Sequence, residues 1–160
     1  MHDLDPVSDL LLELAHFRVM LLEILNAAAT LDWHNRPTPA DWSLTELMCH
    51  LRDVEREVHQ TRFRDLIATD NAFMAGADPD RWTEERGYQQ QDGESALLAF
   101  AAARQTTITL LQDLPEAMWQ RRGRHAFFGP TSMHELLHLV VQHDRAHWQQ
   151  VQLILGQPTP

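Results

Sequence analysis

The 160-residue sequence predicts an all-α fold, a four-helix bundle with a long crossover between helices two and three. Four segments repeat apolar residues at helical spacing, and none sustains the period-two alternation between turn residues that marks a strand. Two serine capping boxes, together with clustered glycine and proline, cut the chain where helices must begin and end. A globule of this length buries roughly two thirds of its unfolded surface, so a single domain over 1–160 is expected.

Helix one should run from about Pro6 to Thr30, with Leu10, Leu14, Phe17, Leu21, Ile24, Leu25 and Ala28 on its buried stripe. Pro37 and Pro39 then break the chain. Helix two opens at Ser43, because in Ser43-Leu-Thr-Glu46 the serine and the glutamate satisfy orphan amides of the first turn, and it continues to about Ile67. From Ala68 to Gly93, the breakers Gly76, Pro79, Gly87 and Gly93 are too many for a long helix. Phe73, Met74, Trp82 and Tyr88 nevertheless predict that this stretch packs down, as an ordered crossover with one short helix. Helix three follows from Asp92 as cap to Pro115, facing Leu97, Phe100, Ala101, Ile108 and Leu111 inward. Gly123, Gly129 and Pro130 mark a loop. Helix four starts at a second capping box, Ser132-Met-His-Glu135, and ends at Leu155 before Gly156, with Pro158 beyond.

The composition excludes several functions. With 13 basic and 23 acidic residues the net charge is −10, which repels nucleic acid before any specific contact forms. All the basic residues are arginine, read here as genome composition and not as a phosphate-binding device. The lone Cys49 allows neither an internal disulfide nor a cysteine-based zinc site, which points to a reducing cytoplasm. The most apolar stretch, Leu10 to Ala29, is interrupted by Glu13, His16, Arg18 and Glu23, and Asp3 and Asp5 stand where a signal peptide would be basic; neither a membrane span nor an export signal is expected. Gly123 and Gly129 stand apart with no following lysine, so there is no phosphate loop, and no His-Glu-x-x-His protease motif occurs. A ferritin-like di-iron centre needs two Glu-x-x-His units, and only Glu135-x-x-His138 is present.

Against this background 10 histidines are many, and histidine is both the commonest metal ligand and the usual acid or base at neutral pH. At about 100° per residue, His143 and His147 project from one face of helix four with Leu136, Val140, Val151 and Ile154. His134 and His138 fall on the other side with Arg145, Gln149 and Gln152, in solvent. In helix two His50 lies at the edge of the stripe Leu47, Leu51, Val54 and Val58, whereas His59 is turned roughly 180° away. A histidine pair one turn apart arises often by chance in such a chain; a third inward imidazole makes a three-ligand site with open positions, the form of a catalytic metal. Asp144, on an apolar face, either accepts from a ligand imidazole or pairs with an arginine, and Arg104 on helix three is placed for it. Cys49 projects about 100° from His50, as a packed thiol and not a nucleophile. Trp42 and Trp148 are candidates to wall a pocket.

Trp42-Ser-Leu-Thr-Glu-Leu-Met-Cys-His50-Leu, Phe100-Ala-Ala-Ala-Arg104 and His143-Asp-Arg-Ala-His147-Trp-Gln-Gln150-Val resemble the DinB-like superfamily, the damage-inducible, non-polymerase family. Trp119 to Gly123 and Phe128-Gly-Pro-Thr131 resemble its connection between helices three and four, and the likeness covers Leu10 to Leu155. It implies a four-helix bundle with the metal held by one histidine of helix two and two of helix four, here His50, His143 and His147. The wheel selects the same three. The family also includes bacillithiol- and mycothiol-dependent S-transferases. Either Gln149 or Gln150 matches its glutamine after the last ligand, and no signature for a thiol cofactor stands out.

The resulting expectation is a divalent metal, zinc, nickel, iron or manganese, that activates a low-molecular-weight thiol such as bacillithiol for transfer to an electrophile. Its alternatives are a metal-dependent hydrolase and a non-enzymatic metal-binding stress-response protein. The partners expected are a small thiol and an electrophile, with a homodimer as the conceivable assembly and neither nucleic acid nor membrane.

Overall fold

The helices begin where capping chemistry puts them. In the computed structural model, which describes residues 4–157, Ser43 Oγ accepts from Glu46 N while Glu46 Oε2 accepts from Ser43 N, and Ser132 and Glu135 repeat the exchange. Asp92 caps through Ser95 N. Helix α1 spans Val7–Glu23 and tightens into a 3₁₀ segment, Ile24–Thr30. Helix α2, Leu44–Val54, passes through a π-turn at Glu55–His59 directly into α3, Gln60–Ala68. The crossover holds a short α4, Trp82–Glu85, flanked by 3₁₀ turns at Pro79–Arg81 and Tyr88–Gln90. Helix α5 is Gly93–Leu111, α6 is Glu116–Trp119 and α7 is Met133–Ile154. Among the described residues, no helix is long and apolar enough to cross a membrane.

The expectation of no strand is corrected. Strands β1 (Phe73–Met74), β2 (Arg122–His125) and β3 (Gly129–Ser132) form a small sheet in the order β1-β2-β3, with β1 and β2 parallel and β2 and β3 antiparallel. The strands are too short to show an alternation in sequence, and Gly123 and Gly129 read as loop residues. Their roles are different. A Cβ on Gly123 would lie 2.7 Å from both the Ala72 carbonyl and Leu66 Cδ2, so its absence lets β2 lie against β1 and α3. Gly129, at φ +71°, supplies the left-handed residue of the hairpin.

Buried apolar side chains form two clusters along the bundle. One gathers Phe17, Leu21, Leu47, Leu51, Leu97, Phe100 and Val151; the other gathers Leu10, Leu14, Phe63, Leu66, Leu111, Leu137 and Val140. Between them lies a buried polar layer: Glu55 and His59 from the π-turn, Gln60 from α3, Arg104 and Thr107 from α5, and Asp144 from α7. Ile108, expected inward, is only half-buried.

Candidate metal centre

Helix α7 places His143 and His147 one turn apart, and α2 brings His50 to face them. Ring centroids are 4.2 Å apart for His143 and His147, 4.8 Å for His50 and His147, and 5.6 Å for His50 and His143. One nitrogen from each ring lies within 4.8 Å of the others, near the span that a single ion with bonds of about 2.1 Å bridges. His147 Nδ1 donates to Gln150 Oε1 at 2.6 Å, which fixes the proton there and leaves Nε2 as a lone pair, 3.0 Å from His143 Nε2. Gln150, rather than Gln149, is thus the glutamine that orients the last imidazole.

The chemistry of these rings is that of unsatisfied donors. Neither nitrogen of His50, 1% exposed, has a hydrogen-bonding partner, and His143 Nδ1 is likewise buried and unpaired. Burial, then the neighbouring His147 and His143, drives the His50 pKa down to about 2. Burial and His143 bring His147 to about 4, and burial lowers His143 as well. All three rings are neutral at pH 7, the form a metal requires. The residues present therefore fit a divalent ion. Trp42, set just before the Ser43 cap, walls the cluster at 4.8 Å from His50 and 6.3 Å from His147.

The model of the DinB superfamily matches residues 13–151. The chain belongs to this superfamily. Among solved structures the DinB bundle seen here is similar to YfiT from Bacillus subtilis, described as a probable metal-dependent hydrolase with an unusual four-helix bundle topology. That structure matches with a TM-score of 0.78 at 16% identity, over 94% of this chain and 88% of that one. No curated protein matches the sequence.

The DinB bundle also corrects parts of the sequence reading. His59 is buried, not turned outward: its Nδ1 lies 3.1 Å from Glu55 Oε2 and its ring meets His143 edge-on at 5.1 Å. The π-turn explains this, since one extra residue in a turn rotates the downstream side chains back by about 100°. Asp144 does not hold His143, whose Nδ1 is 4.0 Å away; both its oxygens accept from Arg104, at 2.6 and 3.0 Å. Glu55, which carries no signal in the helical pattern, is the second carboxylate on Arg104, at 2.9 Å, and also accepts from Thr107. Burial opposes ionisation of Glu55 and Asp144 most strongly, but the Arg104 charge and the hydrogen bonds the carboxylates accept together outweigh it and hold both below the usual carboxylate range.

His134 and His138 are half-buried and not in open solvent; His134 Nε2 meets the Asp5 carbonyl and His138 Nδ1 is buried without a partner. Trp148 lines a different cleft, with Phe17 and Met20. Cys49 is buried with its thiol directed to Gln91 Oε1 at 3.5 Å, and burial raises its pKa to about 11, as expected for a packed thiol.

Proposed function

We propose that His50, His143 and His147 hold one divalent ion and that the site activates a small exogenous nucleophile, a low-molecular-weight thiol such as bacillithiol, for attack on an electrophile. The observation that carries this is the convergence of three neutral imidazoles, two buried and one half-buried, with no protein partners for His50. When bound, a divalent ion lowers the pKa of a thiol or water enough to present it as a nucleophile at neutral pH. Around it, Arg104 with two carboxylates leaves one excess negative charge beside the imidazoles, which favours a cation there. Gln150 fixes the ligand tautomer of His147, and Trp42 keeps water from one side. Cys49 supplies no nucleophile, because its thiol is protonated and faces Gln91. The reading suits a reducing cytoplasm, where such thiols stay reduced.

Hydrolysis is the second reading, favoured by the His59–Glu55 pair and by the description of YfiT. With Nδ1–H donated to Glu55, His59 Nε2 is free to take a proton beside His143. The test measures transfer of several cellular thiols to a chromogenic electrophile, and ester hydrolysis, with and without chelator. Thiol transfer that a chelator abolishes, and that falls with metal content in His143→Ala/His147→Ala, supports the proposal. Chelator-insensitive turnover overturns it, and turnover with water alone selects the hydrolase.

A further inference from the structure

A further unsatisfied donor lies beyond the π-turn. His125, on β2, is 4% exposed, and its Nδ1 accepts from the amides of Phe127 and Phe128 at 3.1 and 3.4 Å. Its proton is therefore on Nε2, where it is buried with no acceptor among the described residues. The same face of β2 carries Gly123, whose position lies against Leu66 of α3. Two residues along the strand from Gly123 is His125; one turn back from Leu66 is Arg62. Arg62 donates to the Ala75 carbonyl at 3.0 Å, and Ala75 follows Met74, the register partner of His125.

Arg62 is half-buried and forms no ion pair with a described residue. Its pKa is lowered by burial, whereas every other arginine with a resolved shift is raised by a carboxylate, and its charge acts on His125. The His125 Nε2–H without an acceptor, on the face of β2 turned toward a half-buried guanidinium that has no carboxylate partner, calls for an anion. The crossover joins this place to the imidazoles: it leaves Arg62 at Ala75 and reaches Asp80, whose charge acts on His147. Arg62 also lies three residues after His59, roughly 5 Å along the helix axis.

We propose that Arg62 and His125 form a subsite for a carboxylate, which places the acid group of a small substrate one helical turn beyond His59 from the imidazole cluster. The carboxylate accepts from the Arg62 guanidinium and from His125 Nε2–H, and the exposed rings of Phe127 and Phe128 at the hairpin offer an apolar rim for the attached carbon chain. Only the word substrate rests on the function proposed above; the anion subsite stands on its own donors.

The test titrates ¹⁵N-labelled protein, metal-loaded and chelator-treated, with butyrate and with its neutral isostere butyramide. The readouts are the Arg62 Nε and His125 Nε2 resonances. Butyrate is expected to shift both saturably and butyramide neither; Arg62→Gln should weaken butyrate binding at least tenfold, and Arg62→Lys less. An unchanged titration in Arg62→Gln, or a butyrate response confined to His143 and His147, overturns the subsite. Metal content is measured on the same samples. A protein that takes up no metal yet shifts at Arg62 keeps the subsite and loses the catalytic reading, whereas one that holds metal without an Arg62 response loses the subsite alone.

Discussion

Two buried polar groups share the layer between the apolar halves of the bundle, and they differ in what the fold does for them. Arg104 reaches both Asp144 and Glu55, Glu55 also receives Thr107 and His59, and only Arg104 Nε lacks a partner. One turn away, His50 has nothing on either nitrogen and His143 has an unpaired Nδ1. His50 is as deeply buried as Arg104 and Glu55, so desolvation is not what separates His50 from them. The ionic group is completed by the fold and specifies how α5 and α7 meet the π-turn. On the function proposed above, the imidazole group is completed from outside by a metal, and its unpaired nitrogens in the free protein are the driving force for that ligand.

Breaking the ionic group should have the largest effect. Arg104→Met leaves two carboxylates buried without a counter-charge, and should cost about 3–5 kcal/mol in urea unfolding of the metal-free protein. The triple variant Glu55→Gln/Arg104→Met/Asp144→Asn, with no charge left to strand, should regain most of that loss. A single-variant cost below about 1 kcal/mol would erase the contrast.

The imidazole group should respond in the opposite sense. His50→Leu abolishes metal binding while leaving the metal-free protein as stable as before or up to about 1–2 kcal/mol more stable, because an unsatisfied buried ring is removed. The same depression of pKa makes stability pH-dependent. Free imidazoles titrate near about 6.5, so below that pH the unfolded chain binds protons that the folded chain refuses. Stability is full above that value and is lost as pH falls toward about 4 for His147 and about 2 for His50. Unfolding of chelated protein at pH 7, 6 and 5 should show a progressive decline, shallower in His50→Leu; equal slopes would show that His50 is not held neutral.

Cys49→Ser should change least. The thiol faces Gln91 and not the imidazoles, so turnover should stay within about twofold of wild type, with any cost confined to packing in the Tyr88 and Leu97 cluster. Loss of turnover in this variant with metal content unchanged would place a nucleophile where the geometry puts none.

The local rules were legible in the sequence wherever they act over a few residues. Ser43, Asp92 and Ser132 cap their helices as their side chains require, and the i, i+4 pair His143 and His147 lies on one face because α7 is regular throughout. The partnership of Arg104 with Asp144 came from a carboxylate on an apolar face that needed a cation. His59 and Glu55 escaped the same reasoning because a wheel assumes 3.6 residues per turn, and the π-turn that holds them breaks that assumption. The sheet escaped because its strands are two to four residues long and are held by pairing across the chain, Phe73 with Arg124 and Gly123 with Thr131, rather than by any pattern of their own.

The sequence by itself determined the helical class, the ends of the helices and the three imidazoles that meet, since periodicity and capping are short-range properties of the chain. Only the tertiary structure decided which buried groups are satisfied: that Arg104 joins two carboxylates, that His50 joins none, and that His125 Nε2 is left without an acceptor. Satisfaction depends on distances between residues far apart in the chain. Those distances are set by how α2 and α3, α5 and α7 pack, and by the single inserted residue that turns His59 inward.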